Sequence, residues 1–397
     1  MDVELSFHIW WGVAYLLLGV LFLVQLFYNL YYYRRLATTS VQQSLGECNR
    51  SSCPPLSVII CGENQLEEIQ KHLPLILEQD YSEFEVIYVD MASTDDTAVY
   101  LESLSEQYNH FYYTIIPESA QYISRRKLAQ TLGVKASKYD WLVFTEADCQ
   151  PVSKLWLQSL AFHFKEGIDI VLGYSRMAKE HSWLSRFSSY DNLLVQMRYL
   201  SFALADKPYM GMGRNMAYRK SLFYQQRTYA NQLNLQRGED ELFLNQRMTA
   251  QNTAVVLSPE SIVQTAPFAQ LKHWKYLKGS HLLSMQRFKG KKHWAVGFET
   301  TSRILFTLLF VSLLVGAVYA TCWVAVGGLV CLALCRWLVQ SLVTNQVAKA
   351  MGEERRYRIS LFILNLYLPI RTFLLKLALP KRGKGDIFKI SDSIRNA

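Results

Sequence analysis

The chain has 397 residues, of which 50% are hydrophobic and 19% are charged, and its formal net charge is +9. This length leaves room for a domain of about 250 residues together with membrane segments. Basic residues flank the apolar segments, and the sequence contains no zinc-ligand spacing and no RNA-binding signature. The seven cysteines form no CxxC pair, which argues against a disulfide framework and for a reducing compartment. We therefore expect contact with a lipid bilayer and none with nucleic acid.

The N-terminal segment predicts a membrane anchor. Residues 7–33 are nearly uncharged and strongly apolar, with aromatic residues at both ends, and are long enough to span a bilayer. No small-residue cleavage site follows, so we expect an uncleaved anchor over residues 1–35 rather than a signal peptide; a buried core helix is the alternative. Arg34 and Arg35 place the following chain in the cytoplasm by the positive-inside rule. Residues 36–54 are polar and predict a linker.

From residue 55 to residue 302, short apolar strand patterns alternate with helical patterns, which predicts an α/β domain with a largely parallel sheet. In such sheets ligands bind beyond the carboxyl ends of the strands. Asn64, Asp90 and Asp148 all fall at such ends. The predicted strands are 56–61, 84–89, 112–116, 141–144, 168–173, 216–218 and 253–257, and the predicted helices include 66–79, 97–108, 125–137, 182–205 and 268–287.

An acidic motif follows the buried strand at 141–144. Glu146 and Asp148 lie two residues apart directly after it, with Pro151 to help end the strand. Hard divalent cations such as Mg²⁺ prefer carboxylate oxygens and commonly share their coordination shell with substrate phosphates. The motif therefore predicts a cation site, although an acidic turn is the alternative for such a motif taken alone.

The C-terminal part predicts further membrane contacts. The apolar run 304–343 is too long for one crossing and fits a two-helix hairpin, which we assign to residues 303–345. A basic cytoplasmic tail over 346–397 follows. Within it the apolar segment 359–379 is interrupted by Asn365, Pro369 and Arg371, so we expect it to lie in the plane of the membrane interface rather than to span.

In their order along the chain, these motifs resemble those of the family 2 inverting glycosyltransferases with the GT-A fold. The layout is most similar to that of membrane-anchored bacterial members. The resemblance implies an α/β GT-A catalytic domain, Rossmann-like with a mostly parallel sheet, between an N-terminal anchor and a C-terminal hairpin plus interfacial segment. The matching segments are Leu56–Asn64 (opening strand and nucleotide loop), Glu85–Asp90 with Ser93–Thr97 (Asp-rich turn), Glu146–Pro151 (metal motif), Tyr209–Asn215 (acceptor-side glycine turn) and Gly238–Phe243 (general-base motif).

The resemblance also implies roles. It indicates transfer of a sugar, by default from a UDP-sugar, with Mg²⁺ or Mn²⁺, at the cytoplasmic face of a bacterial inner membrane. The acceptor would be a lipid-linked or glycan molecule of cell-envelope synthesis, whose other enzymes are candidate partners. The implied residues are Asp240 as the catalytic base; Asp148 and Glu146 at the metal; Asn64, Asp90, Asp95, Arg126, Lys127, Glu146, Lys278 and His281 at the donor; and Gly213, Arg214, Asn215 and Glu239 at the acceptor.

Other interpretations stay open at this point. Arg126 and Lys127 also fit a solvated basic helix face, and Lys278 and His281 also fit surface or headgroup contacts. The sequence departs from the family pattern at Gln65, Met91, Glu146, Leu277 and Ser280, which is compatible with a catalytically degenerate nucleotide-sugar-binding or scaffold protein. A sugar nucleotidyltransferase would need a glycine-rich basic loop near its start, whereas Gly62-Glu63-Asn64 is acidic.

Overall fold

The computed structural model describes residues 2–43, 53–117, 124–225, 238–290 and 292–379. The strands are β1 (Leu56–Gly62), β2 (Phe84–Asp90), β3 (Phe111–Ile115), β4 (Trp141–Glu146), β5 (Cys149–Pro151), β6 (Ile170–Leu172), β7 (Ser175–Met177), β8 (Met216–Arg219), β9 (Thr253–Val255) and β10 (Val263–Thr265). The helices are α1 (Asp2–Phe27), α2 (Arg34–Gln43), α3 (Leu66–Leu77), α4 (Thr97–Gln107), α5 (Arg125–Ala136), α6 (Trp156–Ala161), α7 (Trp183–Leu204), α8 (Lys220–Tyr224), α9 (Glu239–Arg247), α10 (Leu271–Met285), α11 (Lys292–Tyr319), α12 (Trp323–Ala350) and α13 (Ile359–Ala378).

A seven-stranded sheet in the order β3-β2-β1-β4-β8-β6-β9 forms the centre of the domain. All seven residues of β1 are buried, because helices cover both faces of the sheet. β1 pairs in parallel with β2, where Gly62 lies opposite Asp90, and with β4, where Cys61 lies opposite Glu146. Since only β8 runs antiparallel to its neighbours, the sheet is mostly parallel. The predicted α/β fold is confirmed, and the strand ends that carry Asp90 and Glu146 lie on either side of β1 at the carboxyl ends of the strands.

A second, three-stranded sheet in the order β5-β10-β7 was not predicted. The chain after Asp148 does not simply end its strand. It enters β5, where Cys149 pairs with Thr265 and Pro151 with Val263. Proline is tolerated because β5 is an edge strand of this sheet. Strands of three residues have too little periodicity to be recognised in a sequence.

The N-terminal helix continues beyond the predicted anchor. A π-helical segment, Tyr28–Tyr33, joins α1 to α2, so residues 36–43 of the expected linker are helical instead. The physical reason is tertiary contact. Leu36 is fully buried, and the hydroxyl of Ser40 donates to the carbonyls of Leu257 and Ala350 at 3.0 and 3.1 Å. Residues 44–52 of that linker, and 380–397 of the predicted tail, lie outside the described residues.

Four helices are long and apolar enough to cross a membrane: Trp10–Ser40, Trp294–Tyr319, Trp323–Ala350 and Ile359–Ala378. α11 and α12 form a two-helix hairpin that is longer than the one expected over 303–345, because both helices continue past the apolar run. α1, α11 and α12 pack together through a buried apolar cluster of their own that includes Leu18, Phe306 and Leu329. α13 meets the same criterion of length and composition, so its predicted interfacial position stays a prediction.

Candidate active site

The loops after β1 and β2 are tied to each other at the carboxyl edge of the sheet. The amide of Asn64 donates to Ser93 Oγ at 2.8 Å, and Asn64 Oδ1 accepts from the amide of Thr94 at 2.8 Å. Asn64 has φ +52°, in the left-handed region that asparagine tolerates better than most residues. The buried carboxylate of Asp90 accepts from the amide of Ser93 at 3.0 Å and from its hydroxyl. The two predicted donor-binding residues therefore share one rigid loop pair.

Asp95 also stabilises these two loops through hydrogen bonds. Its carboxylate accepts from the amide of Leu66 at 3.4 Å and from the amide of Thr97 at 3.2 Å, which are the first residues of α3 and α4. Burial opposes ionisation, but the hydrogen bonds from Thr97 and Leu66 outweigh it and hold the pKa of Asp95 below its usual value. Asp95 thus fixes two helix starts, and its contact with a donor stays a prediction.

Glu146, at the end of β4, is paired with two arginines. Its Oε1 lies 2.6 Å from Arg126 Nη2, and its Oε2 lies 3.4 Å from Arg214 Nε. Arg214 is only 5% exposed; burial works against its charge, but Glu146 and Asp148 raise the pKa of the guanidinium above its ordinary value. The negative charge of Glu146 is therefore already balanced by arginines. Arg214, which is part of the glycine turn in the sequence, also contacts the metal motif.

Asp148 has a different environment. Its Oδ2 accepts from Thr265 Oγ1 at 3.0 Å and its Oδ1 from Cys149 Sγ at 3.3 Å, both neutral donors. A carboxylate has about four lone-pair positions, so Asp148 retains capacity for a cation. In the described part of the chain no three His, Cys, Asp or Glu side chains converge. The residues fit a Mg²⁺-type site that is completed by substrate phosphates and water rather than by protein alone.

Asp240, in the first turn of α9, contacts α5 and the glycine turn. Gln130 Nε2 donates to its Oδ1 at 2.6 Å, and its Oδ2 lies directly over Gly213, where a Cβ atom would approach it to 2.0 Å. Gln130 and Arg126 are one turn apart on α5, so one helix face contacts both Asp240 and Glu146. The predicted base, the glycine turn and the metal motif are therefore brought together, although they are far apart in sequence.

The other acidic residues of α9 have separate positions. Glu241 Oε1 lies 3.0 Å from His281 Nδ1, on the face toward α10. Glu239 begins α9, and its side chain lies outside the described ones. Only Asp240 is therefore seen in contact with Gln130 and Gly213, among the described side chains of this motif.

The predicted donor contacts on α10 are held by carboxylates. Lys278 Nζ lies 2.5 Å from Asp191 Oδ1, and Trp274 Nε1 donates to Asp191 Oδ2 at 2.8 Å. Together with Met212 and His281, these side chains line a groove between α7 and α10 that is open to solvent. Lys278 and His281 are thus neither solvated surface groups nor free cations; they form one wall of a cavity.

Two other predicted residues are deeply buried. Lys127 is 1% exposed, so the alternative of a solvated basic helix face is wrong for this residue. Asn215 Nδ2 donates to the carbonyls of Tyr174 and Ser261 at 2.8 Å each, and Asn215 Oδ1 accepts from Trp156 Nε1 at 3.1 Å. Asn215 therefore ties the end of the glycine turn to three other segments, whatever its role toward an acceptor.

Three further residues, which the sequence did not indicate, hold the side chains of the candidate site in place. Gln130 holds the predicted base, Asp191 holds Lys278 and Trp274, and Thr265 holds Asp148. Their partners are between 83 and 117 residues away in sequence. A polar residue on an otherwise buried helix face was the available signal for Asp191 and Gln130.

Comparisons with known proteins agree with this arrangement. Residues 57–226 match the model of the family described as glycosyl transferase family 2. The chain is similar to the glycosyltransferase AglE of Haloferax volcanii, with 29% identity over 150 residues, or 37% of this chain and 48% of that protein. It thus spans about half the length of this curated relative.

A mannosyltransferase, PcManGT from Pyrobaculum calidifontis, in complex with GDP-Man and Mn²⁺, superposes with a TM-score of 0.56 and 17% identity over 87% of this chain and 99% of that chain. S. aureus TarS gives a TM-score of 0.42 and 18% identity over 76% of this chain and 53% of that chain. With the motifs and the sheet order, the match over residues 57–226 shows that this part of the chain is similar to glycosyl transferase family 2, and the α/β domain has the GT-A fold.

Proposed function

We propose that the chain catalyses inverting, metal-dependent transfer of a sugar from a nucleotide sugar to a membrane-associated acceptor. The donor is a UDP-sugar, and the acceptor is lipid-linked or a glycan of the cell envelope. The reaction takes place at the cytoplasmic face of a bacterial inner membrane. This proposal rests mainly on helix α5. Its Arg126 contacts Glu146, and its Gln130 contacts Asp240, so one helix joins the metal motif to the proposed base.

The donor half of the site is supported by the two loops at the sheet edge. Asp90, at the end of β2, and Asn64, in the loop after β1, would contact the base and ribose, because ligands of such sheets bind beyond the carboxyl ends of the strands. Asp148, with Glu146 beside it, would hold a Mg²⁺ or Mn²⁺ ion, which when bound neutralises the pyrophosphate leaving group. Arg126 and Arg214 bring two further positive charges to the same place. A departing nucleoside diphosphate would thus meet cations at the end of β4.

Direct inversion requires a base for the acceptor hydroxyl on the face opposite the leaving group. We assign the proton to the carboxylate of Asp240, whose Oδ1 accepts from Gln130 and whose Oδ2 lies over Gly213. The absence of a side chain at Gly213 keeps that approach open, since a Cβ atom would lie 2.0 Å from Oδ2. As the acceptor oxygen forms its bond to the anomeric carbon, its proton passes to Asp240, and the bond to the nucleoside diphosphate breaks.

The membrane location is supported by the helices outside the α/β domain. α1, α11 and α12 form a three-helix group with apolar exposed surfaces, as a bilayer requires. α13 packs along α7 of the catalytic domain, where Tyr190 Oη donates to Asn365 Oδ1 at 2.9 Å and Arg186 Nη1 to Ser360 Oγ at 3.3 Å. Because α7 belongs to the catalytic domain, this contact favours an α13 that lies in the interface plane over one that spans.

A screen of UDP- and GDP-sugars with the purified full chain tests the function. We expect release of the nucleoside diphosphate from at least one donor in Mg²⁺ or Mn²⁺, and its loss in excess chelator. The Asp148→Ala variant should lose the same activity. Tight binding of a nucleotide sugar without turnover, under every metal and acceptor tried, would instead favour the degenerate binding protein. The arginine pairs of Glu146 are the feature that would then explain the missing activity.

A further inference from the structure

A buried group of charges lies where the catalytic domain meets the membrane helices. Glu299 on α11 is 1% exposed, and its two oxygens are occupied by different arginines. Arg198 Nη2 of α7 lies 2.7 Å from Oε2, and Arg303, one turn along α11, contacts Oε1. One carboxylate therefore serves two guanidinium groups, which leaves this group with an excess positive charge.

Arg336 of α12 adds to that excess. Its Cζ lies 4.4 Å from the ring centroid of Phe306, which is one turn from Arg303 on α11, and the charges of Arg336 and Arg303 repel each other. Within the described ranges, Arg336 has no carboxylate partner, and its Nε and Nη1 have no hydrogen-bond partner. The neighbouring Trp337 Nε1 is also buried without a partner in that part of the chain. Gln340 does not supply one, because its amide is paired with Asn365 at 2.9 and 3.0 Å.

The chemistry of this site selects its ligand. Guanidinium and indole N–H groups only donate hydrogen bonds, so the ligand must accept them, and the local charge requires it to be an anion. A guanidinium matches the geometry of phosphate oxygens, and an unpaired arginine in a membrane helix is costly unless it reaches such a group. Exposed leucines continue the surface on both helices, at Leu305 and Leu308 of α11 and at Leu334 and Leu338 of α12.

We propose that the seam between α11 and α12 binds the phosphate of an anionic lipid, with Arg336 as its main contact and Trp337 as a second donor. The acyl chains lie along the exposed leucines, which distinguishes a lipid from free phosphate. This inference rests on the proposed membrane location and does not depend on sugar transfer. Its occupant would fix the catalytic domain against the membrane through the Arg198, Glu299 and Arg303 group.

Native mass spectrometry of the full chain in detergent, titrated with phosphatidylglycerol, tests the site. Loss of a charge-assisted hydrogen bond corresponds to about tenfold or more in affinity, so we expect Arg336→Gln to weaken the tightest lipid site by about that factor. The matched control is Arg371→Gln on α13, whose Nε donates to Tyr367 Oη within its own helix at 2.8 Å. This control should bind lipid as the unaltered chain does.

Two further variants keep the result interpretable if Arg336→Gln folds poorly. Trp337→Phe keeps an aromatic ring but removes the N–H donor, and should lower the lipid affinity of the same site several-fold. Arg336→Lys keeps the charge but loses the planar fork, and should fall between the unaltered chain and Arg336→Gln. Unchanged lipid affinity in these variants would overturn the inference, as would displacement of the lipid by millimolar inorganic phosphate. Recovery of the chain in the soluble fraction without detergent would overturn the membrane location itself, whereas absent sugar transfer would leave the lipid site standing.

Discussion

The most informative perturbation is Asp240→Asn, because it removes the proposed base and keeps its shape. The side-chain oxygen of asparagine can still accept from Gln130 Nε2, which donates to Asp240 Oδ1 at 2.6 Å. The substituted amide group would occupy the place of Oδ2 over Gly213. The packing of α9 on α5 is therefore retained, while the proton acceptor is lost.

The expected size of the effect follows from the role of that atom. General-base catalysis contributes about 10²–10⁴ in rate, so transfer by Asp240→Asn should fall by at least about 10². The donor contacts at Asp90 and Asp148 lie on other elements, so nucleotide-sugar affinity should stay within about threefold, as expected when an interaction is made only in the transition state.

The matched control is Glu241→Gln, one residue along the same helix. Glu241 contacts His281 at 3.0 Å and has no described contact with Gln130 or Gly213, so its loss should cost much less in rate. Initial rates of transfer and donor affinity by calorimetry should be measured for both variants. A mild effect at Asp240 together with a severe one at Glu241 would move the base to Glu241 and refute this assignment.

Three other predictions concern the metal, the partner of the base and the topology. Asp148→Ala should abolish metal-dependent donor binding measured by calorimetry, since no metal ion then neutralises the pyrophosphate charge; a variant whose donor affinity rises on addition of Mn²⁺ as much as that of the unaltered chain would contradict this. Gln130→Leu should lower kcat about tenfold with little change in donor KM, because it removes the hydrogen bond that positions Asp240; an unchanged kcat would limit Gln130 to a structural role. In intact cells an impermeant thiol reagent should label exposed Cys322, at the turn between α11 and α12, and should not label Lys154→Cys in the catalytic domain; the reverse pattern would invert the proposed topology.

Much of the fold was predictable because its signals are local. β1, β2 and β4 are short apolar runs bounded by polar turns, and their burial on both faces leaves little ambiguity. Helix ends were less predictable. α2 continues through polar residues because Leu36 and Ser40 dock against distant parts of the chain, which no local propensity encodes.

In the candidate site, the acidic motifs could be recognised in the sequence, whereas the pairing of their side chains with other residues could not. Asp148 and Asp240 belong to short motifs with recognisable neighbours. The pairing of Glu146 with Arg126 and Arg214, and of Asp240 with Gln130, depends on how α5 crosses the sheet edge. Such contacts join residues 20 to 110 positions apart, so they are properties of the packed structure rather than of any sequence window.

The measurement that most directly tests the central claim is the configuration of the sugar when it is first released. Water can serve as the acceptor, so an α-linked nucleotide sugar can be incubated with the full chain and diamagnetic Mg²⁺ while proton NMR follows the anomeric signals. Direct inversion with Asp240 as the base predicts that the β-anomer appears first and the α-anomer only later, by mutarotation. Initial release of the α-anomer would contradict the inverting mechanism.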